Sequence, residues 1–277
     1  MSILQAIILG LLQGLSEFIP ISSTAHVTIA GQLFGLINAE HPEHWTAFLA
    51  VVQLGTLAAV LIYFSKEIRT IPFAFLKENL GRQRLKFREQ SHNSKMGWYI
   101  ILGSLPIATI GLALKDFIEG SFTKEMTVIA FSLIILAIIL FIAEKTAKFK
   151  KDIEKVTWLD ALIVGFAQCL ALIPGSSRSG TTITAGLFSG LQRETAARFS
   201  FLLSIPAVFG SGLLEFYQSL EYITSDELLT LLIAITVSAI SGYASIAFLL
   251  KFLKTKSTLI FVIYRIVLGV VILIFLV

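Results

Sequence analysis

One cysteine, Cys169, stands among 277 residues, so no intrachain disulfide forms and thiol usage says nothing of redox compartment. Charge is scarce too: Asp, Glu, Lys and Arg make up 14% of the chain, against roughly 25% in soluble domains. With 56% hydrophobic residues and a mean hydropathy of +0.84, that scarcity excludes an ordinary water-soluble domain. Strict apolar–polar alternation is missing and the apolar runs exceed strand length, which argues against a transmembrane barrel. The first charged side chain is Glu17, so the basic start expected of a cleaved signal peptide is lacking. No Walker loop, dinucleotide fingerprint or HExxH pair occurs, which removes the main warrant for nucleotide or zinc-protease chemistry. What remains is an all-α polytopic membrane protein forming a single integral membrane domain over 1–277.

Apolar runs between charged or Pro/Gly breaks predict helical segments at 2–19, 21–37, 46–64, 97–114, 126–143, 159–173, 179–190, 196–214, 228–250 and 257–277. The loops then separate by charge. Segment 65–96 carries eight Lys/Arg against three acids, 144–158 carries five lysines, and Lys251, Lys254 and Lys256 form a third basic turn. These loops hold 16 of the 22 basic residues, which places them on the cytoplasmic side. The same clustering explains the net charge of +4 as a topology signal and not as a nucleic-acid surface. Opposing connections are acidic or balanced: Glu40 and Glu43, Lys115 to Glu125, and Glu215, Glu221, Asp226 and Glu227. Six segments must therefore cross once (46–64, 97–114, 126–143, 196–214, 228–250 and 257–277). The pairs 2–37 and 159–190 each return to the side they left, as two crossings or as one re-entrant hairpin. Length favours re-entrance, because 159–173 and 179–190 fall short of the roughly 20 residues a span needs.

Internal duplication points the same way. Gly10 and Gln13 recur at Gly165 and Gln168, 155 positions on, as does Ala30-Gly31 at Ala185-Gly186. Pro20, Ser22 and Ser23 match Pro174, Ser176 and Ser177 at an offset of 154. The expected architecture is six spanning helices plus two re-entrant helical hairpins, arranged as an inverted repeat of roughly 1–143 and 159–277. Broken helices at membrane depth are tolerated only inside protein or beside a wet cavity, so the two polar tips should meet.

Those tips carry the chemistry. Gln13 and Glu17 are spaced i, i+4 on one face of the first half-helix, which stops at Pro20. Ser22 or Ser23 can cap the next helix, with Thr24 and His26 in its first turn. In the second hairpin Pro174-Gly175 breaks the chain, and Ser176, Ser177, Arg178 and Ser179 open the following helix. A helix N-terminus rich in hydroxyls, with an arginine fork, suits a phosphate anion. A carboxylate in an apolar helix asks for a functional explanation. The serines also read as plain helix caps, His26 as a hydrogen-bonded interior residue, and Gln13 and Gln168 as helix-to-helix bonds. His41-Pro-Glu-His44 has a short metal-ligand spacing but reads as a solvated loop. Arg265, beside Tyr264, either snorkels or pairs with a carboxylate such as Glu144, while Arg193, Glu194 and Arg198 mark the start of a span.

The runs Gln13-Gly-Leu-Ser-Glu17-Phe-Ile-Pro20-Ile-Ser-Ser-Thr-Ala-His26, Pro174-Gly-Ser-Ser-Arg-Ser-Gly180 and Ala197-Arg-Phe-Ser-Phe-Leu-Leu-Ser-Ile-Pro206 resemble the bacterial undecaprenyl-diphosphatases, the bacitracin-resistance type of membrane phosphatase. The likeness runs from residue 3 to Tyr264-Arg265. It implies hydrolysis of the C55 isoprenyl diphosphate in the bacterial inner membrane, an active site open to the outer side, and a divalent cation, Mg²⁺ or Ca²⁺. It puts catalysis on Glu17, Ser23, His26 and Arg178, substrate binding on Gln13, Ser22, Thr24, Ser176, Ser177 and Ser179, and any protein ligand to the metal on Glu17. One departure matters: the first position of the acidic motif is often Glu and here is Gln13, which leaves Glu17 as the expected lone carboxylate of the site. The attacking group is left open between Ser23, His26 and water. Partners implied are the lipid substrate and membrane lipid, with a homodimer as the protein assembly to consider and no nucleic acid. Two other classes fit parts of the pattern: a flippase for the lipid monophosphate using the same cavity, and an intramembrane serine protease using Ser23 or Ser177 with His26. Arg178 and the hydroxyl cluster favour an anion over a peptide carbonyl.

Overall fold

The computed structural model describes every residue except 38–41, 82–83, 115–124 and 223–226. Among the described residues it is all-helical: α1 (Ile3–Phe18), α2 (Ser23–Leu33), α3 (Pro42–Tyr63), α4 (Ser65–Asn79), α5 (His92–Ala113), α6 (Met126–Thr146), α7 (Trp158–Gln168), α8 (Arg178–Phe188), α9 (Arg193–Ser219), α10 (Leu228–Leu253) and α11 (Leu259–Phe275). Five of these, α3, α5, α6, α9 and α10, are long and apolar enough to cross a membrane. The last, α11, is equally apolar and has 17 residues. By contrast α2, α7 and α8 have 11 residues each, about 16 Å of helix against a hydrocarbon core of about 30 Å.

Local sequence explains the short elements. Ser2 and Gln5 form a capping box that starts α1, and the helix gives way to extended backbone at Ile19, before Pro20. After that break Ser22 takes a left-handed φ of 76° and accepts from the Ala25 N–H, so α2 begins at once. The second hairpin repeats the device: Ser177, φ 64°, accepts from the Gly180 N–H and starts α8. Both short helices end on a left-handed glycine, Gly35 at φ 64° and Gly190 at φ 83°. Ser22 and Ser177, like Gly35 and Gly190, lie 155 positions apart. The duplication therefore keeps one offset through the tip, and the match of Ser22 to Ser176 at 154 is corrected to Ser22 with Ser177.

The packing partners follow the same correspondence. α1 lies along α10 and α7 along α5, while α3 meets both α9 and α10, and α6 meets α8 and α11. Glycine permits the closest of these crossings. A Cβ on Gly10 would sit 2.5 Å from the Ala234 carbonyl oxygen of α10, and one on Gly165 would collide with the Gly103 carbonyl of α5. Gly210, in α9, has nothing within 4 Å of such a Cβ. Gly165→Val is therefore expected to abolish the monodisperse folded peak in size-exclusion chromatography. Gly210→Ala should unfold at the same temperature or higher, since alanine favours helix by about 1 kcal/mol over glycine.

The basic stretch 65–96 is not simply a loop. Residues 65–79 form α4, whose Ile71 is buried and whose Phe75 ring packs on Trp98 of α5 at 4.9 Å between centroids. Asn79 holds that fold-back through hydrogen bonds with Ser94 (3.2 Å), Gln90 (2.8 Å) and Trp98 (3.1 Å). At this basic end a buried carboxylate ties three helices together. Glu144 of α6 accepts from Arg193 Nη2 of α9 at 2.5 Å and from the hydroxyl of Thr258, the cap of α11, at 2.9 Å. Arg265 is thus not the partner of Glu144, and Arg198 pairs instead with Glu67. Glu144→Ala leaves Arg193 uncompensated and is expected to cost about 3–5 kcal/mol, read as a lower unfolding temperature. The His41–His44 spacing falls partly on residues outside those described, as do Glu40, residues 115–124 and Asp226 of the acidic connections.

Candidate active site

The two hairpin tips meet at Glu17. From α1 the carboxylate projects one turn before the break, with 9% of its side chain exposed. Arg178, the first residue of α8, places Nη2 2.7 Å from Glu17 Oε1. Ser23, the first residue of α2, donates its hydroxyl to Oε2 at 2.7 Å, and Gln13 Nε2 donates to the same oxygen at 3.1 Å. Residues 161 positions apart thus form an ion pair, and a hydroxyl is fixed on the free face of the carboxylate. A second stitch joins the tips where Ser179 Oγ donates to the Ile19 carbonyl at 3.3 Å.

Glu17, Ser23 and Arg178 open on one cavity of about 710 Å³, which Gln13, Ser22, Thr24, Ser176, Ser177 and Gln168 also line. The smaller, polar part of its wall is built mainly from the tips. The larger part is apolar and includes Ile107 and Leu112 from the second half of α5 and Val208 and Leu214 from that of α9. Arg178 keeps Nη1 without a hydrogen-bond partner among the described residues. The cavity is therefore lined by an arginine, the starts of two helices and several hydroxyls on one side, and by a mainly apolar wall on the other. That division matches an amphiphile with an anionic head.

Two of the expected site residues do not line the cavity. Ser179 is fully buried between the tips. His26 turns away: its Nδ1 is 2.7 Å from the Ser22 carbonyl, its Nε2 is 2.6 Å from the Tyr264 hydroxyl, and the two rings stack at 5.5 Å. An i, i+4 bond to a backbone carbonyl makes Nδ1 the donor, so the imidazole secures the left-handed Ser22 from behind. Next along α11, Arg265 is fully buried and donates from Nη2 to the Ser176 carbonyl at 2.9 Å. Gly180 makes room for it, since a Cβ there would lie 2.6 Å from Arg265 Nη1. Adjacent residues of α11 thus brace both tips, one directly and one through His26. Arg265→Met is expected to lower kcat more than it raises KM, because it loosens the segment carrying Arg178 without touching substrate.

Sequence reasoning missed several wall residues: Gln53 of α3, Ser104 of α5, and Ser211, Glu215 and Gln218 of α9. An isolated glutamine in an apolar span, Gln53, was the signal available. Glu215 lies within α9 and not in a connecting loop, so Glu17 is not the sole carboxylate on the cavity wall.

Among the described residues the donor set does not by itself make a cation centre. No group of three His, Cys, Asp or Glu side chains able to hold a metal occurs among the described residues. Both Glu17 oxygens are already engaged, one by Arg178 and one by Ser23 and Gln13.

Comparison with known proteins shows the family. The family model for bacitracin resistance protein BacA matches residues 6–271. A protein of Syntrophobacter fumaroxidans named undecaprenyl-diphosphatase is 62% identical over 97% of this chain and 95% of its own length. Proteins of the same name from Myxococcus xanthus and Chloroherpeton thalassium are 48% and 49% identical, over 100% and 98% of this chain and 90% and 95% of their own.

Proposed function

Because the chain belongs to the bacitracin resistance protein BacA family, we propose that it hydrolyses undecaprenyl diphosphate to the monophosphate and inorganic phosphate. The reaction recycles the lipid carrier of cell-wall synthesis and confers resistance to bacitracin. The observation that carries this reading is the hub at Glu17, where a serine hydroxyl and an arginine from opposite halves of the chain bind the two oxygens of one carboxylate.

The roles follow from that hub. Ser23 Oγ attacks the terminal phosphorus in line, and Glu17 Oε2, already its acceptor at 2.7 Å, takes the proton. A new Oγ–P bond forms as the bridging P–O bond breaks, and the prenyl monophosphate leaves with the electron pair. Glu17 hands that proton to the departing monophosphate and is a carboxylate again. Water then attacks the phosphoserine and gives a proton to Glu17, which passes it to Ser23 Oγ as the P–Oγ bond breaks and inorganic phosphate departs. Arg178 serves two masters: Nη2 holds Glu17 in place, while Nη1 and the N–H groups opening α2 and α8 take charge on the transferring phosphoryl group. His26 and Tyr264 act through Ser22 as positioning residues. The family resemblance implies Mg²⁺ or Ca²⁺; the described residues supply no three-ligand set for it, and no step above passes through it.

The architecture proposed is six spans, with α11 as the sixth, and two re-entrant hairpins, α1–α2 and α7–α8, as an inverted repeat in the inner membrane. Supporting it are the shared 155-residue offset, the paired left-handed serines and glycines, and the matching contacts of α1 with α10 and α7 with α5. The cavity opens to the outer side: Ile107, Leu112, Val208 and Leu214 of its apolar wall lie on the ends of α5 and α9 remote from the basic loops. A tail seated against that wall leaves the phosphates at the tips.

Phosphate release from detergent-purified protein given a C55 or shorter prenyl diphosphate tests the reading. One phosphate per lipid is expected. A flippase using the same cavity would bind the lipid and release none, and that result would overturn the proposal.

A further inference from the structure

We propose that Gln168 is a substrate-binding residue whose side-chain amide holds a phosphate oxygen of the bound diphosphate. This deepens the phosphatase reading, on which it rests for the identity of the ligand. Gln168 closes α7 and lines the cavity with no exposed surface of its own. Neither its Nε2 nor its Oε1 has a hydrogen-bond partner among the described residues. Burying an amide with nothing to bond is costly, so native glutamines at such positions ordinarily have a partner.

The duplication explains why this one has none among the described residues. Its counterpart 155 positions earlier, Gln13, donates to Glu17 one turn further along α1 at 3.1 Å. The position matching Glu17 in the second hairpin is Leu172, which also lines the cavity. The second half has thus kept the glutamine and lacks the carboxylate that would occupy it. Bonding to a neighbouring helix is not its role either, since no such partner exists among the described residues. The same hairpin supplies a second donor without a partner among the described residues, Arg178 Nη1, and both residues line one cavity. A guanidinium N–H and an amide NH₂ together select an anion with several oxygens, and a diphosphate has them. The Gln168 carbonyl oxygen then takes a hydroxyl, from water or from a protonated phosphate.

The test uses full-length protein carrying Ser23→Ala, which binds without turning over. Affinities for a C15 prenyl diphosphate and for inorganic phosphate are measured by calorimetry with and without Gln168→Leu. Leucine is close in size and asks for no hydrogen bond, so the unfolding temperature should hold or rise. Diphosphate binding should weaken by about 10- to 100-fold, the worth of a hydrogen bond to a charged group. Gln168→Glu should weaken it further through like charge. Affinity for the diphosphate unchanged within twofold in Gln168→Leu overturns the inference, and so does weaker binding accompanied by a lower unfolding temperature. The two readings fail separately. A wrong inference leaves wild-type phosphate release intact with binding indifferent to Gln168, whereas a wrong phosphatase reading leaves Gln168-dependent binding without phosphate release.

Discussion

Arg178→Ala is expected to reduce turnover of a prenyl diphosphate by about 10²–10³-fold, the scale on which one donor to developing charge acts. The same change strands Glu17, whose side chain is 9% exposed, without its counter-ion. Breaking a buried pair from one side costs about 3–5 kcal/mol of stability, so the single variant confounds chemistry with folding. Pairing Arg178→Met with Glu17→Gln separates them. With both charges gone and the volumes roughly kept, the unfolding temperature should return towards wild type, because a buried pair and an apolar pair of similar size are often equivalent. Phosphate release should stay absent. Near-normal turnover by Arg178→Ala would contradict the role given to the guanidinium, and turnover by the double variant would contradict the role of Glu17.

Ser23→Ala carries the second large effect. If Ser23 is the nucleophile, its loss should lower kcat by at least about 10³-fold, as when a covalent catalyst is removed from other hydrolases. Little change in stability is expected, because the helix cap is Ser22 and not Ser23. His26→Ala should cost less, roughly 10–100-fold, the scale of a residue that acts by holding another. Single-turnover phosphate release for the two variants checks the order. Equal or larger loss in His26→Ala would move the chemistry from the serine to the imidazole.

Both tips were legible in the sequence for one physical reason. A carboxylate, an arginine and clustered hydroxyls inside apolar chain have few structural excuses. Their meeting was legible too, because helices broken at Pro20 and at Pro174-Gly175 within apolar chain are expected to bury the freed ends in protein. The segment boundaries lay close to the helices found, apart from α4. There the charge density around Lys66, Arg69 and Lys77, together with Pro72 inside the helix, masks the spacing of Ile68, Ile71 and Phe75. The aim of His26 was not legible. Three residues after Ser23 it falls within reach of the cavity by spacing alone, and only the Ser22 carbonyl and Tyr264 decide which way the ring turns. The bracing by Tyr264 and Arg265 depends likewise on contacts across 238 and 89 positions, which no local pattern encodes. Gln53, Ser104 and Glu215 sit singly in apolar helices, where the sequence does not say which face meets the cavity.

Trapping the phosphorylated enzyme tests the central claim most directly. Purified protein in excess over a prenyl diphosphate labelled in its terminal phosphate is quenched with acid within one turnover, digested and sequenced by mass spectrometry. The label should appear on the peptide carrying Ser23 and vanish in Ser23→Ala. Label on His26, or phosphate released with none passing through the chain, would contradict the account.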